Sequence, residues 1–446
     1  MSAPVTSPRR RRVLIVSPNF APLNTPDMQR ARLALPYLRE HGWEPVVLAV
    51  APEYSGTGVL DPLLEKTYPA DIRVVRVRGI TPRSARWLGV GSLWWRCGRA
   101  LRRAGEALLA AERFDLVFFT TTQFDAFTLG PRWLRQFGVP YVLDYQDPWI
   151  NPFYHRTKTR PPGGWLKFNV TQWLARCREP AVVRQAAAIV SVSDSYIRDL
   201  LTSYPALNPK RLALLPFGAS PLDLTTAAQQ GPSKPLIDFT DGHIHHVYTG
   251  RLGPDMTPAL TVILRAFRRF LDHDPAGAKR LRFHFIGTGY APAPLGREWA
   301  MPIAQAEGVA DFVREHCYRI SYFDALHYLL NASALMIVGS TDPTYSASKL
   351  FPYVLARRPL LLVFPEKSLI LQFAEKLGAG QRGAFAESGD LTPAVDAVYQ
   401  RWFVDGGYRS GTEFDEAKFL PFTAASLTGQ LAEIFDAATR RSAGSA

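Results

Sequence analysis

Short runs of consecutive apolar residues alternate with helix-patterned stretches along nearly the whole chain. This alternation limits the possible folds more than any single motif does. "RRVLIVSPNF", "WEPVVLAV", "DIRVVRVRG", "FDLVFFTTT", "VPYVLDYQD", "AAAIVSVSD" and "RLALLPFG" each carry such a run in the first half. Runs without polar alternation suit strands covered on both faces, which are the strands of a parallel sheet. Between the first two lies "MQRARLALPYLREHG", with Leu33, Leu35 and Leu38 at helical spacing and Gly42 as a stop. Strand, helix, strand implies a parallel pair with a right-handed crossover. The first half therefore reads as a doubly wound α/β sheet of about seven strands.

Residues 219–241, "ASPLDLTTAAQQGPSKPLIDFTD", interrupt the pattern and are expected to be a linker. The alternation then restarts. "HHVYTG", "LRFHFIGTG", "VREHCY", "ALMIVGS" and "RPLLLVFP" read as strands, with helices over "TPALTVILRAFRRFLDHDP", "YFDALHYLLNAS", "SLILQFAEKLG" and "DLTPAVDAVYQRWF". The expected plan is a basic disordered arm at 1–11, a Rossmann-like domain at 12–218, the linker, a second Rossmann-like domain at 242–422, and a helix at 423–440 that caps either domain or bridges both.

With 446 residues the chain has room for two domains. Its formal charge of +13 (52 Lys and Arg against 39 Asp and Glu) gives a surface that attracts anions: nucleotide phosphates, acidic lipid headgroups or nucleic acid. Cys97, Cys177 and Cys317 lie far apart, without metal-ligand spacing, which fits a reducing compartment. No run approaches the ~18–20 apolar residues of a membrane span.

In open α/β sheets ligands bind outside the carboxyl ends of the strands. The residues that follow the second-half strands are Gly250 and Arg251, then Gly287 and Gly289, then Ser340, then the turn Ser346–Lys349 leading into Leu350. A lysine at a helix start works against the macrodipole unless an anion joins it. Lys349 is either a solvated surface residue or one that shares an anion with the surrounding backbone N–H groups. Together with Arg251 it suits a leaving diphosphate. There is no Gly-x-x-x-x-Gly-Lys-Ser/Thr loop, so the chain is no P-loop nucleoside triphosphatase.

In the first half, "VLDYQDPWINPFYH" places Asp144 and Asp147 directly after a strand. Asp147 could accept a hydrogen bond from a substrate hydroxyl, or it could simply form a turn. Trp149, Phe153 and Tyr154 could stack on a sugar or a lipid, or fill the core. A different feature is "RSARWLGVGSLWWRCGRALRRAG", where tryptophans interleave with arginines over residues 83–103. It reads as a contact for an anionic membrane surface, as a core helix with a solvated basic face, or, least well supported, as a nucleic-acid contact, since no reading module accompanies it.

Taken as a set, "VLIVSPNFAP" with Arg30, "DLVFFTTTQF", "VPYVLDYQDPWINPFY", "AAAIVSVSDSYIRDLL", "LLPFG", "YTGRL" and "DPTYSASKLFPYVLARRPLL" resemble the GT-B glycosyltransferases of the retaining family-four type. The resemblance covers roughly residues 12–440. It implies two Rossmann-like domains facing across a cleft, and transfer of a sugar from a nucleotide diphosphate sugar to a polysaccharide or lipid-linked acceptor, with retention and without a metal or other cofactor. Asp147, from its place after a strand, and Arg251 and Lys349, which by resemblance would hold the diphosphate, are the catalytic candidates. Gly250, Arg251, Gly287, Gly289, Ser340, Ser346, Ser348, Lys349 and Leu350 would hold the donor. Asn19, Arg30, Asp147 and Trp149 would line the acceptor side. The family's setting is the cytoplasm of a bacterium, at the inner face of the plasma membrane, with no nucleic acid as partner. The chain departs from the pattern where the family carries two glutamates, here Thr344 and Pro352. Met256 stands where a lysine is usual, Phe127 where a histidine is common, and Gln146 where an arginine is common, while "LNTPDM" lacks the usual glycine. Two further readings follow: a GT-B protein that binds without transferring sugar, and a nucleotide-sugar epimerase.

Overall fold

The computed structural model describes residues 10–443, apart from 57, 88–90, 152–153, 156–157, 159, 162, 233–234, 290–295, 343–348 and 387–388. Two units emerge. One comprises residues 1–217 with 424–446, and the other residues 218–423.

The first unit is built on a parallel sheet. Its strands are β1 (Arg11–Val16), β3 (Trp43–Val50), β5 (Arg73–Val77), β6 (Leu116–Thr120), β7 (Tyr141–Tyr145), β8 (Ala188–Ser191) and β9 (Leu212–Leu214), in the order β5-β3-β1-β6-β7-β8-β9. A short antiparallel pair, β2 (Leu23–Asn24) with β4 (Val59–Leu60), stands apart from it. Every residue of β6, β7 and β8 is buried. This is why these strands read as continuous apolar runs. The strand order reverses between β1 and β6, so the loops after β1, β6 and β7 share one end of the sheet.

Strand β1 begins at Arg11, inside the segment expected to be a disordered arm; residues 1–9 of that arm lie outside the described residues. The helix expected after β1 is divided. Gln29–Ala34 is helical, and a 3-10 turn, Leu38–His41, follows Pro36 and ends at Gly42 with φ +78°. Proline cannot supply the N–H that would continue the helix.

The helix Ala424–Ala443 belongs to the first unit. Its Phe435 is fully buried, 5.3 Å from the Trp43 ring and 5.1 Å from that of Phe118. Asp436 accepts the Trp43 indole N–H at 2.9 Å and pairs with Arg11 at 2.6 Å.

In the second unit the strands β10 (Ile244–Thr249), β11 (Leu281–Ile286), β12 (Val313–His316), β13 (Ala334–Val338), β14 (Leu360–Pro365) and β15 (Gln381–Phe385) form a parallel sheet in the order β12-β11-β10-β13-β14-β15. Here the order reverses between β10 and β13. Residues 219–241, expected to be a linker, are in part a folded element. Pro221–Gln229 is a helix whose Ser220 hydroxyl accepts the Asp223 N–H, and Asp223 accepts the Tyr322 hydroxyl at 2.8 Å. Serine followed by proline is a helix-start signature, which the Thr- and Gln-rich composition obscured.

Candidate active site

The ends of β10 and β13 carry the second unit's candidate residues. Gly250 leaves β10 with φ +137°, and Lys349 crosses directly over it: a β-carbon at Gly250 would stand 1.7 Å from Lys349 Nζ. Only glycine gives the ammonium this passage. Nζ lies 3.4 Å from the Tyr248 hydroxyl and 5.2 Å from the Tyr248 ring centroid. Tyr248 in turn donates to the Arg251 carbonyl at 2.7 Å. Among the described residues Lys349 has no carboxylate partner. Burial first, and then the Arg251 charge, bring its pKa down to about 7. The side chain is only half-buried, so water moderates both effects. Two neighbouring cations, one without an ion-pair partner among the described residues, suit an anion.

Arg251 is held in place. Its guanidinium grips both oxygens of Asp255, at 2.8 and 3.1 Å, and Asp255 also accepts the Ser340 hydroxyl at 2.6 Å. The Asp255 backbone carbonyl takes the Thr341 N–H at 2.9 Å, which joins the β10 loop to the β13 loop. Burial acts to raise the Asp255 carboxyl, but the hydrogen bonds from Arg251 and Ser340 outweigh it and hold the group below its usual range.

Gly287, with φ +72°, opens the turn after β11, and Gly289 follows in the same loop. Leu350 is a core side chain, 1% exposed, that opens the six-residue helix Leu350–Leu355. Pro352 is its third residue, where the missing N–H would in any case have no partner. Ser346, Ser348 and Thr344 lie outside the described residues. A recess of ≈ 330 Å³ adjoins this region through Ser340 and Thr341, with Phe364, Lys367, Ser368 and Phe385 in its wall.

The first unit's candidates separate into two groups. Asn19 and Arg30, expected on the acceptor side, are turned into the protein. Asn19 Nδ2 donates to Asp27 at 3.1 Å, and its Oδ1 accepts the Ser55 hydroxyl at 2.7 Å. Arg30 is 5% exposed and pairs with fully buried Asp144 at 2.8 Å. It also donates to the Leu215 and Pro216 carbonyls and covers the Phe217 ring. Gln146, which occupies a position often held by arginine, bonds Asp144 at 2.7 Å and the Asp27 carbonyl at 3.0 Å. Trp149, left open by the sequence between stacking on a sugar or lipid and filling the core, packs in an aromatic cluster, 5.9 Å from Phe124 and nearly parallel to it. Its neighbour Phe127 accounts for this, since the aromatic surfaces bury one another.

Asp147 alone of the four is exposed. Protein atoms nonetheless crowd it. Desolvation, followed by the charge of Asp27, raises its carboxyl to about 6. Asp27 is buried and Asp147 open, and the raised carboxyl of Asp147 is able to accept a hydrogen bond from a hydroxyl near neutral pH.

Sequence reasoning missed Tyr248, Asp255 and Asp27. Asp255 was detectable as the residue four positions after Arg251, the spacing of an ion pair within one turn. Tyr248 and Asp27 left no signal, since their partners are brought to them only by folding. No group of His, Cys, Asp and Glu among the described residues could hold a metal ion.

Residues 29–218 match the glycosyl transferase 4-like domain family. No curated protein matches the chain by sequence. Among solved structures, HepE of Anabaena in complex with UDP and glucose is similar at 13% identity and TM-score 0.54, over 95% of this chain and 98% of that one. The sucrose-phosphate synthase of Thermosynechococcus elongatus is similar at 12% identity and TM-score 0.57, over 98% and 100% of the two chains. The UDP-forming α,α-trehalose-phosphate synthase of Burkholderia xenovorans is similar at 16% identity and TM-score 0.56, over 97% and 99%. At these identities the likeness is one of fold.

Proposed function

We propose that the chain, glycosyl transferase 4-like over residues 29–218 and similar in fold to HepE, is a glycosyltransferase that moves a sugar from a nucleotide diphosphate sugar to a hydroxyl of a polysaccharide or lipid-linked acceptor, with retention of configuration. The observation that carries this reading is Lys349: an ammonium with a lowered pKa, seated over a glycine beside Arg251, and without a carboxylate partner among the described residues. In this reading the donor diphosphate lies against Lys349 and Arg251. The sugar C1–O bond to phosphate breaks as the acceptor oxygen bonds to C1 from the same face. The acceptor proton passes to the departing phosphate oxygen. The two cations stabilise the charge that develops there, and no step is assigned to a metal. Asp255 keeps Arg251 pointed at the diphosphate, and Asp147 accepts a hydrogen bond from an acceptor hydroxyl.

HepE, solved with UDP and with UDP-glucose, makes uracil the first base to try. Three free cysteines support a reducing compartment, and the tryptophan–arginine stretch at 83–103 supports contact with an anionic membrane surface. None of the described helices is long and apolar enough to cross a membrane.

One observation favours a second reading, of binding without transfer. Pro352 occupies the place of a family glutamate and offers no side-chain hydrogen bond. A thermal-shift panel with UDP, GDP, ADP, dTDP and CMP on wild type and Lys349→Ala tests the donor site, and a transfer assay with the nucleotide sugar of the base that binds separates the two readings. A diphosphate at ~100 times its dissociation constant should stabilise wild type by ~2.7 kcal/mol. That gain should vanish in Lys349→Ala. No shift with any nucleotide would defeat the transferase reading.

A further inference from the structure

All three tryptophans that stand exposed among the described residues lie on adjoining elements of the first unit: Trp87 at 90%, Trp95 at 66% and Trp173 at 62%. Trp87 ends the helix Pro82–Trp87, and Trp95 lies on the helix Leu93–Ala111. Trp173 lies on the helix Gly164–Gln185, together with Leu166 at 83% and Val170 at 49%. Residues 166, 170 and 173 are spaced four and three apart and so form one stripe. The opposite face of that helix is apolar as well, with Phe168, Ala175, Val182 and Val183 buried. The inner face has the domain core to cover it, but the outer stripe is left facing solvent. The two regions adjoin, since a β-carbon at Gly91 would lie 3.9 Å from Lys167 Nζ.

Charge marks the same place. Residues 79–105 contain six arginines and no acid, and residues 148–178 contain six Lys or Arg and no acid. Some of these cations serve the fold. Arg96 is buried and donates to the Ser55 carbonyl at 2.6 Å and that of Ile80 at 3.2 Å, so the segment 83–103 does not present all its arginines to solvent. Arg178 pairs with Asp125. Arg83, Arg99, Arg103, Lys158, Lys167 and Arg176 remain exposed.

We propose that Trp87, Trp95 and the stripe Leu166, Val170 and Trp173 form one docking surface for a bilayer with anionic headgroups. This deepens, and rests on, the reading of 83–103 as a membrane contact; the helix Gly164–Gln185 is the new element. Tryptophan suits the headgroup layer, aliphatic side chains gain by reaching the acyl boundary, and the surrounding cations are attracted to anionic lipid. A nucleic acid would use the tryptophans and the cations but would gain little from Leu166 and Val170. A second copy of the chain would bring the same uncompensated positive charge against this one. The surface places a lipid-linked acceptor on the domain that carries Asp147.

Vesicle co-sedimentation of the full chain tests the proposal. The vesicles are phosphatidylcholine alone, or phosphatidylcholine with ~30 mol% phosphatidylglycerol as the anionic lipid. Wild type should sediment with the anionic vesicles only, and less so as salt rises toward ~0.5 M. Leu166→Ser with Trp173→Ser, and separately Trp87→Ser with Trp95→Ser, should each weaken partitioning at least ~10-fold. Both pairs should retain the wild-type thermal shift with UDP, a readout that depends on the donor site alone. Loss only in the Trp87/Trp95 pair would overturn the proposal and leave the reading of 83–103 standing. Loss only in the Leu166/Trp173 pair would overturn the single two-part surface and that earlier reading with it. Binding to polyuridylate but not to vesicles would overturn the proposal in favour of nucleic acid. Dimerisation without lipid that either pair abolishes would do so in favour of self-association.

Discussion

Lys349 passes over Gly250 so closely that a β-carbon there would stand 1.7 Å from Nζ. The two residues are 99 positions apart in the chain (349 − 250) and come from different strand ends. Gly250→Ala is expected to act twice. It forces a side chain onto a backbone at φ +137°, at a cost on the order of 1–3 kcal/mol, and it pushes the ammonium out of place. The nucleotide-induced thermal shift should fall as it does in Lys349→Ala. A wild-type shift in Gly250→Ala would show that the position of the lysine over this residue is irrelevant to binding.

Binding of a nucleoside diphosphate is expected to take up a proton. Free Lys349 has its pKa lowered to about 7, and a diphosphate beside it favours the ammonium. Above pH 7 part of the lysine is neutral, so affinity should decline as pH rises further. Titration calorimetry with UDP at pH ~8, in buffers of different ionisation enthalpy, should report uptake approaching one proton. Lys349→Met should report none. The same shift sets a sign for the ligand-free protein. The unfolded chain binds this proton up to its ordinary pKa of 10.5 and the folded one only to about 7, so this group makes stability rise with pH across that window.

Asp147 is expected to set the acid limb of the transfer reaction. Its carboxyl is raised to about 6 from the ordinary 3.8, so the anion that accepts a hydrogen bond forms only as pH passes 6. The ratio kcat/KM should climb through that pH, and the limb should be missing in Asp147→Asn, where kcat falls on the order of 100-fold. For stability the sign is opposite to that of Lys349: folding disfavours the charged carboxylate, so this contribution declines as pH rises from 3.8 to about 6. An unchanged profile in Asp147→Asn would make the residue a bystander.

Arg30 is expected to behave as a structural ion-pair member. It is 5% exposed and its partner Asp144 is fully buried. Arg30→Met leaves that carboxylate without its cation, which typically costs ~3–5 kcal/mol. Chemical denaturation should show a loss of that size, and acceptor KM should hold in whatever fraction stays folded. Wild-type stability with a raised acceptor KM would return Arg30 to the acceptor site.

The alternation of apolar runs and helical patterns was enough to read two doubly wound sheets, because a strand covered on both faces must be apolar at nearly every position. β6, β7 and β8 are buried throughout and were the clearest to read. The expectation that Arg251 and Lys349 belong near one another followed from the same pattern, since ligand-facing residues gather at the carboxyl ends of parallel strands. Long-range pairing decided the rest. Arg30, Asn19 and Arg251 carry the same side chains whether open or engaged, and only folding brought Asp144, Asp27 and Asp255 beside them. Trp149 could have served a ligand or the core until Phe124 and Phe127 closed around it. The helix Gly164–Gln185 is apolar on both faces, so its pattern could not say which face the core would take. The helix Ala424–Ala443 returns to the first unit because Trp43 and Phe118, several hundred residues earlier in the chain, provide the apolar surface that buries Phe435. Local periodicity is written residue by residue and can be read directly. Which polar group finds which partner depends on contacts between distant segments, and those exist only in the folded chain.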